Sequence, residues 1–293
     1  MRLFIILAIL GIKLVPFAIA SGPAVPTALI VDKKSNTLQL CKYQNGTCQI
    51  VKTYRATLGR VKGDKEMEGD LKTPEGIYIF QNQMRAPALK PKFGKMAFYM
   101  NYPNAFDQLA GRTGRDIMLH ATNEPERLKK DYDSEGCVVV RNEDIEEIEP
   151  NIRLGLTPIL IFSELTNESL RNGQNSKLQT FFEGWVKAWE NKDIEKYINY
   201  YHSDFSFDGK NRLAWKAYKT SLNSRYLTIQ VNPENVQFYF HPKYSMISFV
   251  QNYRSTLKGG GVGHRSRGTK TLYVAEEAGE PKLIAETFST LVF

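Results

Sequence analysis

The sequence predicts a β-rich domain with short helices, followed by an α+β domain. Many short apolar segments separated by long loops occupy residues 24–163, which is typical of strands. After residue 177, apolar residues recur at three- and four-residue intervals, as on one face of a helix, before strand-like segments resume. The 293 residues exceed one typical domain, and a hydrophobic content of 42% excludes a disordered chain.

Strands of the first domain are predicted from short apolar and β-branched runs. They cover residues 28–31, 38–43, 49–54, 77–80, 116–120, 137–140 and 158–162. The Asn45-Gly46 dipeptide marks a hairpin turn between the second and third of these strands. Asn142 is predicted to cap a short helix that contains Ile145 and Ile148.

A polar stretch at 164–177 is predicted to be a linker to the second domain, residues 178–293. That domain should begin with a helix whose apolar face holds Leu178, Phe181, Phe182, Trp185 and Trp189. Asp193 should cap a second helix that continues to Tyr201, and a third helix should cover 213–222. Strands are predicted at 227–231, 236–240, 245–254, 269–275 and 282–288.

The N-terminus has the pattern of a secretory signal peptide over residues 1–20. Arg2 precedes an apolar run from Leu3 to Ile12, and Ala18-Ile19-Ala20 forms an A-x-A cleavage site. A retained N-terminal anchor is the alternative. Cleavage would leave 37 Lys and Arg against 31 Asp and Glu, because Arg2 and Lys13 are lost. We therefore expect a mildly basic protein that works outside the cytoplasm; no nucleic-acid motif is found, so no nucleic-acid partner is expected.

Three cysteines are too few for a disulfide scaffold or a zinc finger. Cys41 and Cys48 would lie directly opposite each other across a four-residue loop, whereas a two-residue Asn45-Gly46 turn would make them diagonal. Export favours a disulfide between them. His202, His241 and His264 are not at metal-ligand spacing, so neither a metal nor another cofactor is predicted.

Cys137 is a candidate nucleophile, because it follows Ser134-Glu135-Gly136 at the edge of a strand. A glycine there lets backbone N–H groups approach a bound oxyanion. His120 ends another strand of the same domain and could accept the thiol proton. The alternative is a buried free cysteine and an unrelated histidine.

These motifs together resemble the L,D-transpeptidase catalytic (YkuD) domain. L-H-A-T-N at 119–123 and S-E-G-C-V-V-V at 134–140 resemble its His…S-x-G-C signature, and D-L-K-T-P-E-G-I-Y at 70–78 resembles its T-P-x-G motif. Y-M-N-Y-P-N-A-F-D at 99–107 and G-R-T-G at 111–114 resemble the YafK-type branch. Two departures are Ala121, where the family often has Gly, and Val139, where it commonly has Arg; Arg141 lies two residues further on.

The resemblance implies catalytic roles for four residues. Cys137 attacks the substrate carbonyl and His120 moves protons, while the Ala121 carbonyl orients the imidazole and the N–H groups of Gly136 and Cys137 hold the oxyanion. The residues expected to bind substrate are Arg112, Arg115 and Arg141 for its carboxylate, Tyr102, Asn104 and Asp107 in a substrate loop, and Ser134 near the sulfur. Each has an alternative: the arginines as solvated charges, the loop residues as turn structure, and Ser134 as a residue that shapes its loop.

The second domain, with F-F-E-G-W-V-K-A-W at 181–189, is similar to NTF2-like domains. This pairing resembles the cell-shape L,D-carboxypeptidases of helical Gram-negative bacteria, which implies that the protein removes the terminal D-alanine from peptidoglycan tetrapeptides. The alternatives are an L,D-transpeptidase, an amidase that releases wall-attached proteins, and a non-catalytic wall-binding module. The partners implied are peptidoglycan stem peptides.

Two further features of the second domain have open interpretations. Trp185, Trp189, Tyr201, Phe205 and Trp215 could line a ligand pocket, although aromatic residues at helical spacing are more often core. Cationic residues lie between 252 and 270: Arg254, Lys258, Arg265, Arg267 and Lys270. They could bind glycan strands or belong to a solvated hairpin. A homodimer is possible, since NTF2-like surfaces commonly pair.

Overall fold

The computed structural model describes residues 26–44, 47–166 and 176–290. Its first part is built around an eight-stranded sheet with two short α-helices, and its second around a six-stranded sheet with three helices. This confirms the predicted fold class, a β-rich domain followed by an α+β domain. The predicted signal peptide and residues 167–175 of the predicted linker lie outside the described residues.

The first domain contains ten strands and two α-helices. The strands are β1 (Thr27–Asp32), β2 (Thr37–Gln44), β3 (Thr47–Arg55), β4 (Leu58–Gly59), β5 (Gly76–Arg85), β6 (Met96–Met100), β7 (Met118–His120), β8 (Tyr132–Ser134), β9 (Val138–Val139) and β10 (Pro158–Phe162). The helices are α1 (Ala105–Leu109) and α2 (Asn142–Ile148), with short 3₁₀ turns at Pro91–Phe93, Pro125–Lys129 and Glu149–Asn151. The main sheet has the order β3-β2-β1-β10-β5-β6-β7-β9, and β4 pairs with β8.

Strand β1 shows why apolar runs in this domain do not alternate with polar residues. Leu29 and Val31 pack into the core of the first domain. Ala28 and Ile30 point to the opposite face of the sheet, where side chains of the second domain, including Met246, cover them. Both faces of the strand are therefore buried, and a continuous apolar run is the expected pattern.

The predicted cap of α2 is wrong. Arg141, not Asn142, occupies the N-cap position, and its side chain makes no capping hydrogen bond. The Asn142 amide is instead used in tertiary contacts: its Oδ1 accepts the Lys95 N–H at 2.8 Å, and its Nδ2 donates to the Thr122 carbonyl at 3.1 Å. A side chain that forms long-range bonds of this kind cannot be recognised from local sequence.

The second domain places three helices against its sheet. The helices are α3 (Ser176–Glu190), α4 (Ile194–Ile198) and α5 (Arg212–Arg225); the strands are β11 (Tyr201–Phe207), β12 (Lys210–Asn211), β13 (Tyr226–His241), β14 (Tyr244–Leu257), β15 (Val262–Glu277) and β16 (Glu280–Thr290). The sheet order is β12-β11-β16-β15-β14-β13. The Asp193 cap is confirmed, since its carboxylate accepts the Lys196 N–H at 3.1 Å.

Three differences from the sequence prediction concern this domain. The second helix ends at Ile198, and Tyr201 starts strand β11. The two strands predicted on either side of Pro233 form the single strand β13, because a register shift between Glu234 and Gln237 absorbs the irregular residues. Ser176 and Lys177, predicted to lie in the linker, belong to α3.

The two domains share an apolar core. From the first domain it contains Ala28, Ile30, Cys41, Cys48, Ile77, Ile79, Leu160 and Phe162, and from the second Tyr239, Tyr244, Met246, Tyr273 and Ala285. A contact buried in this way fixes the relative position of the domains more firmly than a polar interdomain surface would. No helix in the described ranges is long and apolar enough to cross a bilayer.

Candidate active site

The ends of two parallel neighbouring strands bring His120 and Cys137 to one cleft. His120 is the last residue of β7 and is paired with Val139 of β9, while Cys137 directly precedes β9. Both side chains line a cleft of about 440 Å³. The sheet therefore provides the juxtaposition that the spacing of the two residues suggested.

The His120 ring is held in one orientation. Its Nδ1 lies 2.6 Å from the carbonyl oxygen of Ala121, and the ring meets Phe93 edge-on at a centroid distance of 4.9 Å. Because a carbonyl oxygen only accepts, Nδ1 carries the hydrogen and Nε2 is left as the acceptor. His120 is 1% exposed, and this burial lowers the pKa of its imidazole to about 4.

Cys137 is a buried thiol in the same cleft. Its Sγ lies 3.7 Å from the Asp116 carbonyl oxygen, to which the thiol donates. Burial raises the pKa of Cys137 to about 11, against an opposing contribution from the backbone N–H of Met118. At neutral pH, both residues are therefore uncharged. Such a pair can attack by transferring the proton to His120 as the sulfur adds, rather than from a preformed thiolate.

Gly136 has a φ of +123° and no room for a side chain. A Cβ there would lie 2.7 Å from the carbonyl oxygen of Lys72. Its N–H donates to Ser134 Oγ at 3.1 Å, and the Ser134 hydroxyl donates to the Cys137 carbonyl at 2.6 Å. Ser134 thus shapes the turn before the cysteine. The Gly136 N–H is occupied by this contact, which leaves the Cys137 N–H as the candidate oxyanion donor.

Several cations surround the mouth of the cleft. Of the arginines predicted to bind substrate, Arg115 lines it, with 80% of its side chain exposed and Asp116 at 3.8 Å. Arg60 and Lys92, which sequence reasoning missed, line it as well. Within the described residues, the Arg60 side chain forms no ion pair. Arg127 also reaches the cleft, but its guanidinium is bound to Asp133 and to backbone carbonyls.

The structure places the other two predicted arginines away from the cleft lining. Arg141 forms a two-pronged contact with the Asp144 carboxylate, with distances of 2.9 and 2.8 Å. It lies at the start of α2, not on the strand of Val139, so it does not take the position expected of a substitute for the family's arginine. Arg112 is paired with Asp64 at 2.5 Å and lies near the second domain.

The three predicted substrate-loop residues build the loop itself. Asn104 caps α1 by accepting the N–H groups of Phe106 and Asp107, and Asp107 accepts the Asn104 N–H in return. The Tyr102 hydroxyl is bound to the Lys65 and Thr113 carbonyls. Tyr102, Asn104 and Asp107 are buried, and none lines the cleft. The alternative interpretation, turn structure, fits their positions.

Cys41 and Cys48 are joined through their sulfur atoms in strands β2 and β3, with Cα atoms 5.7 Å apart. Tyr43 pairs with Cys48, as the two-residue turn requires, and Cys41 pairs with Ile50 after a register shift. The cysteines are therefore diagonal and not directly opposite. Their separation is within the range for a disulfide, which stays a prediction to be tested chemically.

In the second domain, the predicted aromatic pocket residues form a core. Trp185, Trp189, Tyr201, Phe205 and Trp215 are all buried in one cluster. Sequence reasoning missed a buried lysine among them: Lys219 Nζ lies 4.1 Å from the Trp189 ring centroid and 4.6 Å from that of Trp215. Burial lowers its pKa to about 7.

The cationic stretch at 252–270 forms the β14–β15 hairpin. Arg254, Lys258, Arg265 and Arg267 are exposed on it. Lys270 is not, because it is buried and paired with Glu286 at 2.6 Å, so its assignment to a binding surface is wrong. Glycan binding by the exposed members stays a prediction, as does a homodimer. In the described ranges, no group of three His, Cys, Asp or Glu could hold a metal ion.

Comparison with known proteins agrees with both halves of this architecture. Residues 26–161 match the L,D-transpeptidase catalytic domain model, and residues 177–287 match the Cds6 C-terminal NTF2-like domain. The structure of Bdellovibrio bacteriovorus Bd1075 is 33% identical, with a TM-score of 0.76 over 92% of this chain and 94% of that one. The helical cell shape determining protein Pgp2 from Campylobacter jejuni is 23% identical, with a TM-score of 0.68 over 89% and 91% of the two chains.

A further relative is YafK of Escherichia coli (strain K12), which carries an L,D-transpeptidase name. It is 25% identical over 171 residues, which amount to 54% of this chain and 63% of YafK. The chain thus spans less than two thirds of that relative's length. From its matching domains and its full-length similarity to Bd1075, the chain belongs to the L,D-transpeptidase (YkuD) family, with a C-terminal NTF2-like domain.

Proposed function

We propose that the protein is a peptidoglycan L,D-carboxypeptidase that removes the terminal D-alanine from tetrapeptide stems. The observation that carries this proposal is that Cys137 and a neutral His120, whose Nδ1 is held by the Ala121 carbonyl, line one cleft bordered by Arg60 and Arg115. A peptide that ends in a free carboxylate suits such a cleft, because arginine binds carboxylates through two parallel hydrogen bonds.

In the acylation step, Cys137 Sγ attacks the carbonyl carbon of the diaminopimelate residue while its proton passes to His120 Nε2. The Cys137 N–H stabilises the oxyanion of the tetrahedral intermediate, a contribution of about 3 kcal/mol for one such donor. The C–N bond then breaks, and the imidazolium returns its proton to the departing amine of D-alanine. A thioester on Cys137 remains.

In the second step, His120 takes a proton from water as the oxygen of that water adds to the thioester carbonyl. The C–S bond then breaks, the imidazolium returns the proton to Cys137 Sγ, and the tripeptide leaves as a carboxylic acid that ionises in water. Hydrolysis is favoured over cross-linking by the absence of the arginine common to the family. Val139 at that position is fully buried, and Arg141 is bound to Asp144, so Arg141 does not take the place of that arginine. There are two alternatives. In L,D-transpeptidation an amine of a second stem peptide, instead of water, accepts the acyl group, and in amidase cleavage an amine of a wall-attached protein is the leaving group.

The proposal extends to a role in cell shape and to the periplasm. Pgp2, a protein of the same fold, is a helical cell shape determining protein by name. Trimming of stem peptides changes the sites available for cross-links, which gives a chemical route from this activity to wall curvature. The signal-peptide pattern of residues 1–20 supports export to the compartment that contains the wall.

Purified disaccharide tetrapeptide incubated with the protein tests this function. The wild type should release free D-alanine and tripeptide, and Cys137→Ala should release none. Cys41→Ala/Cys48→Ala serves as the matched control, because it removes the other two cysteines and keeps the cleft. Cross-linked dimers in place of tripeptide would establish the transpeptidase alternative, and release by Cys137→Ala would refute a cysteine acyl-enzyme.

The same assay tests the carboxylate contact. Arg115→Ala should raise KM for the tetrapeptide by roughly tenfold, since a lost charged hydrogen bond is worth about 1.4 kcal/mol or more. The same substitution should have little effect on a tetrapeptide amide, which lacks the charge. Equal effects on both substrates would show that Arg115 does not bind the terminal carboxylate.

A further inference from the structure

The turn between β13 and β14 places three side chains of the NTF2-like domain against the catalytic domain: His241, Lys243 and Tyr244. His241 and Tyr244 pair across the hairpin, with Pro242 and Lys243 between them. The His241 ring lies on Phe162 at a centroid distance of 4.9 Å, and its Nε2 donates to the Ile161 carbonyl at 3.0 Å. The side chains of Lys243 and Tyr244 extend from this hairpin into contacts with the catalytic domain.

Lys243 joins a group of partly buried charges in the catalytic domain. Its ammonium donates to the carbonyl of Glu75 at 2.6 Å and to the carboxylate of Asp64. Asp64 also accepts the Glu75 N–H at 2.7 Å and is paired with Arg112 at 2.5 Å. Arg112 in turn donates to the Lys65 carbonyl at 3.0 Å. Lys243 therefore binds the loop at residues 60–75 directly and is connected through Asp64 to Arg112 in the loop at residues 101–117.

Tyr244 makes three hydrogen bonds through its hydroxyl group. It accepts the Ile77 N–H and the Asn104 amide, both at 2.8 Å, and donates to the Ile77 carbonyl at 2.9 Å. Gly76 is required beside it, because a Cβ there would lie 2.9 Å from this hydroxyl and the φ of Gly76 is +151°. Asn104 is the cap of α1, so the tyrosine is attached to the start of the second loop.

Both loops continue directly into the cleft. The Thr113 N–H donates to the Glu66 carbonyl at 2.9 Å, which connects the two loops. Asp116 lies four residues after Arg112, and its carbonyl accepts the Cys137 thiol. In the first loop, the Lys72 carbonyl oxygen packs so closely on Gly136, the residue before Cys137, that a Cβ there would clash with it. The charges of Lys243, Asp64 and Arg112 are thus linked to the cleft through these two loops.

We propose that Lys243 and Tyr244 are positioning residues for the reaction, and that through them the NTF2-like domain holds the loops at 60–75 and 101–117 in the arrangement that binds the stem peptide. A mostly buried ion pair is a poor source of net stability, and in some proteins such a pair specifies one arrangement of its partners. Cys137 and His120 are placed by β7 and β9 instead. The proposal therefore separates substrate binding from thiol chemistry, and it rests on the proposed function for its activity readout.

Lys243→Met tests the charge and Tyr244→Phe the hydroxyl. For each variant, kcat/KM on tetrapeptide is measured on protein whose near-UV circular dichroism matches that of the wild type, so that unfolded protein does not count. We expect a fall of about tenfold, in the range found for coupling across packed networks, chiefly through KM, with the Cys137 alkylation rate within about twofold of wild type. Lys243→Arg should restore most of the activity, because arginine can donate to the same oxygens.

Lys216→Met is the matched control. Lys216 is also an ion-paired lysine of the second domain, bound to Glu195 at 2.7 Å, and it should retain wild-type kcat/KM. Unchanged kcat/KM in Lys243→Met, or an equal loss in Lys216→Met, would overturn the inference.

Hydrogen exchange gives a readout independent of the proposed function. Lys243→Met should raise amide exchange in residues 60–75 and 101–117 and leave β1 unchanged. If the wild type releases no D-alanine, the proposed function fails, and the exchange result still decides the positioning role. Unchanged protection of both loops would refute it.

Discussion

At Cys137 and His120, burial acts on the two pKa values in opposite directions. Burial raises the pKa of the thiol to about 11 and lowers the pKa of the imidazole to about 4, so the charged form of each group is disfavoured. A thiolate–imidazolium pair would require both shifts to be reversed. We infer that the charge separation is made only when substrate enters and the sulfur attacks, with the Ala121 carbonyl keeping the imidazole in the required tautomer.

The pH dependence follows with a definite sign. The rate at which iodoacetamide alkylates Cys137 should rise about tenfold per pH unit through pH 9. The rate for an ordinary thiol levels off above about pH 8.5, where most of the thiol is ionised, whereas the raised pKa of Cys137 keeps it mostly protonated there. Activity should persist to about pH 5 and fall near pH 4, since His120 accepts a proton only while it is neutral. Cys137→Ala measures background labelling. An alkylation plateau between pH 6 and 7 would contradict the neutral pair.

At the scale of single elements, the β2–β3 hairpin illustrates how an irregularity decides a covalent link. The shift between Leu40 and Cys41 brings Cys41 opposite Ile50, one residue out of the regular register. The two cysteines are then diagonal but only 5.7 Å apart at Cα, within reach of each other. They also belong to the core shared by the domains, which shields the link from solvent.

We therefore predict a disulfide between Cys41 and Cys48. Intact mass should rise by two hydrogens on reduction after unfolding, and reduction should lower the free energy of unfolding by about 2 kcal/mol, the value expected for a loop this short. Cys137→Ala should show the same mass change, because Cys137 takes no part. A protein purified from the periplasm with three alkylatable thiols would contradict the prediction.

At the scale of the whole molecule, two buried histidines make the fold acid-sensitive. His120 lies in the catalytic cleft and His241 at the domain junction, and burial lowers both pKa values to about 4 from 6.5. At a pH between these two pKa values, the unfolded chain therefore binds more protons than the folded chain. The stability that the neutral histidines provide is complete above pH 6.5 and is lost as pH falls towards 4.

Urea unfolding at pH 7.5, 6 and 5 tests this expectation. The free energy of unfolding should fall by a few kcal/mol over this range for two such histidines. His241→Asn should reduce the slope against pH, whereas the control His264→Asn, at an exposed position, should leave it unchanged. A wild-type curve that is flat from pH 7.5 to 5 would exclude the buried, neutral state of both histidines.

Local sequence was sufficient for most of the strands, the Asp193 cap and the nucleophile motif, because these depend on periodicity and on neighbouring residues. It predicted that His120 and Cys137 could meet, since strand ends joined by one loop can be neighbours. It did not predict β6 or the single long β13, where packing and a bulge overrode the pattern. It missed Arg60 and Lys92, which reach the cleft from other loops.

The amino-acid sequence by itself determined the fold class of the two parts and the candidate Cys137–His120 pair, because periodicity and short motifs carry them. Only the tertiary structure decided which cations face the cleft. Arg112, Asn104 and Asp107 lie in a motif that suggests substrate contact, yet the structure uses them to cap a helix and to receive the second domain. The physical reason is that a side chain's partners are set by residues far away in the chain, here Tyr244 and Lys243, which no local pattern reveals.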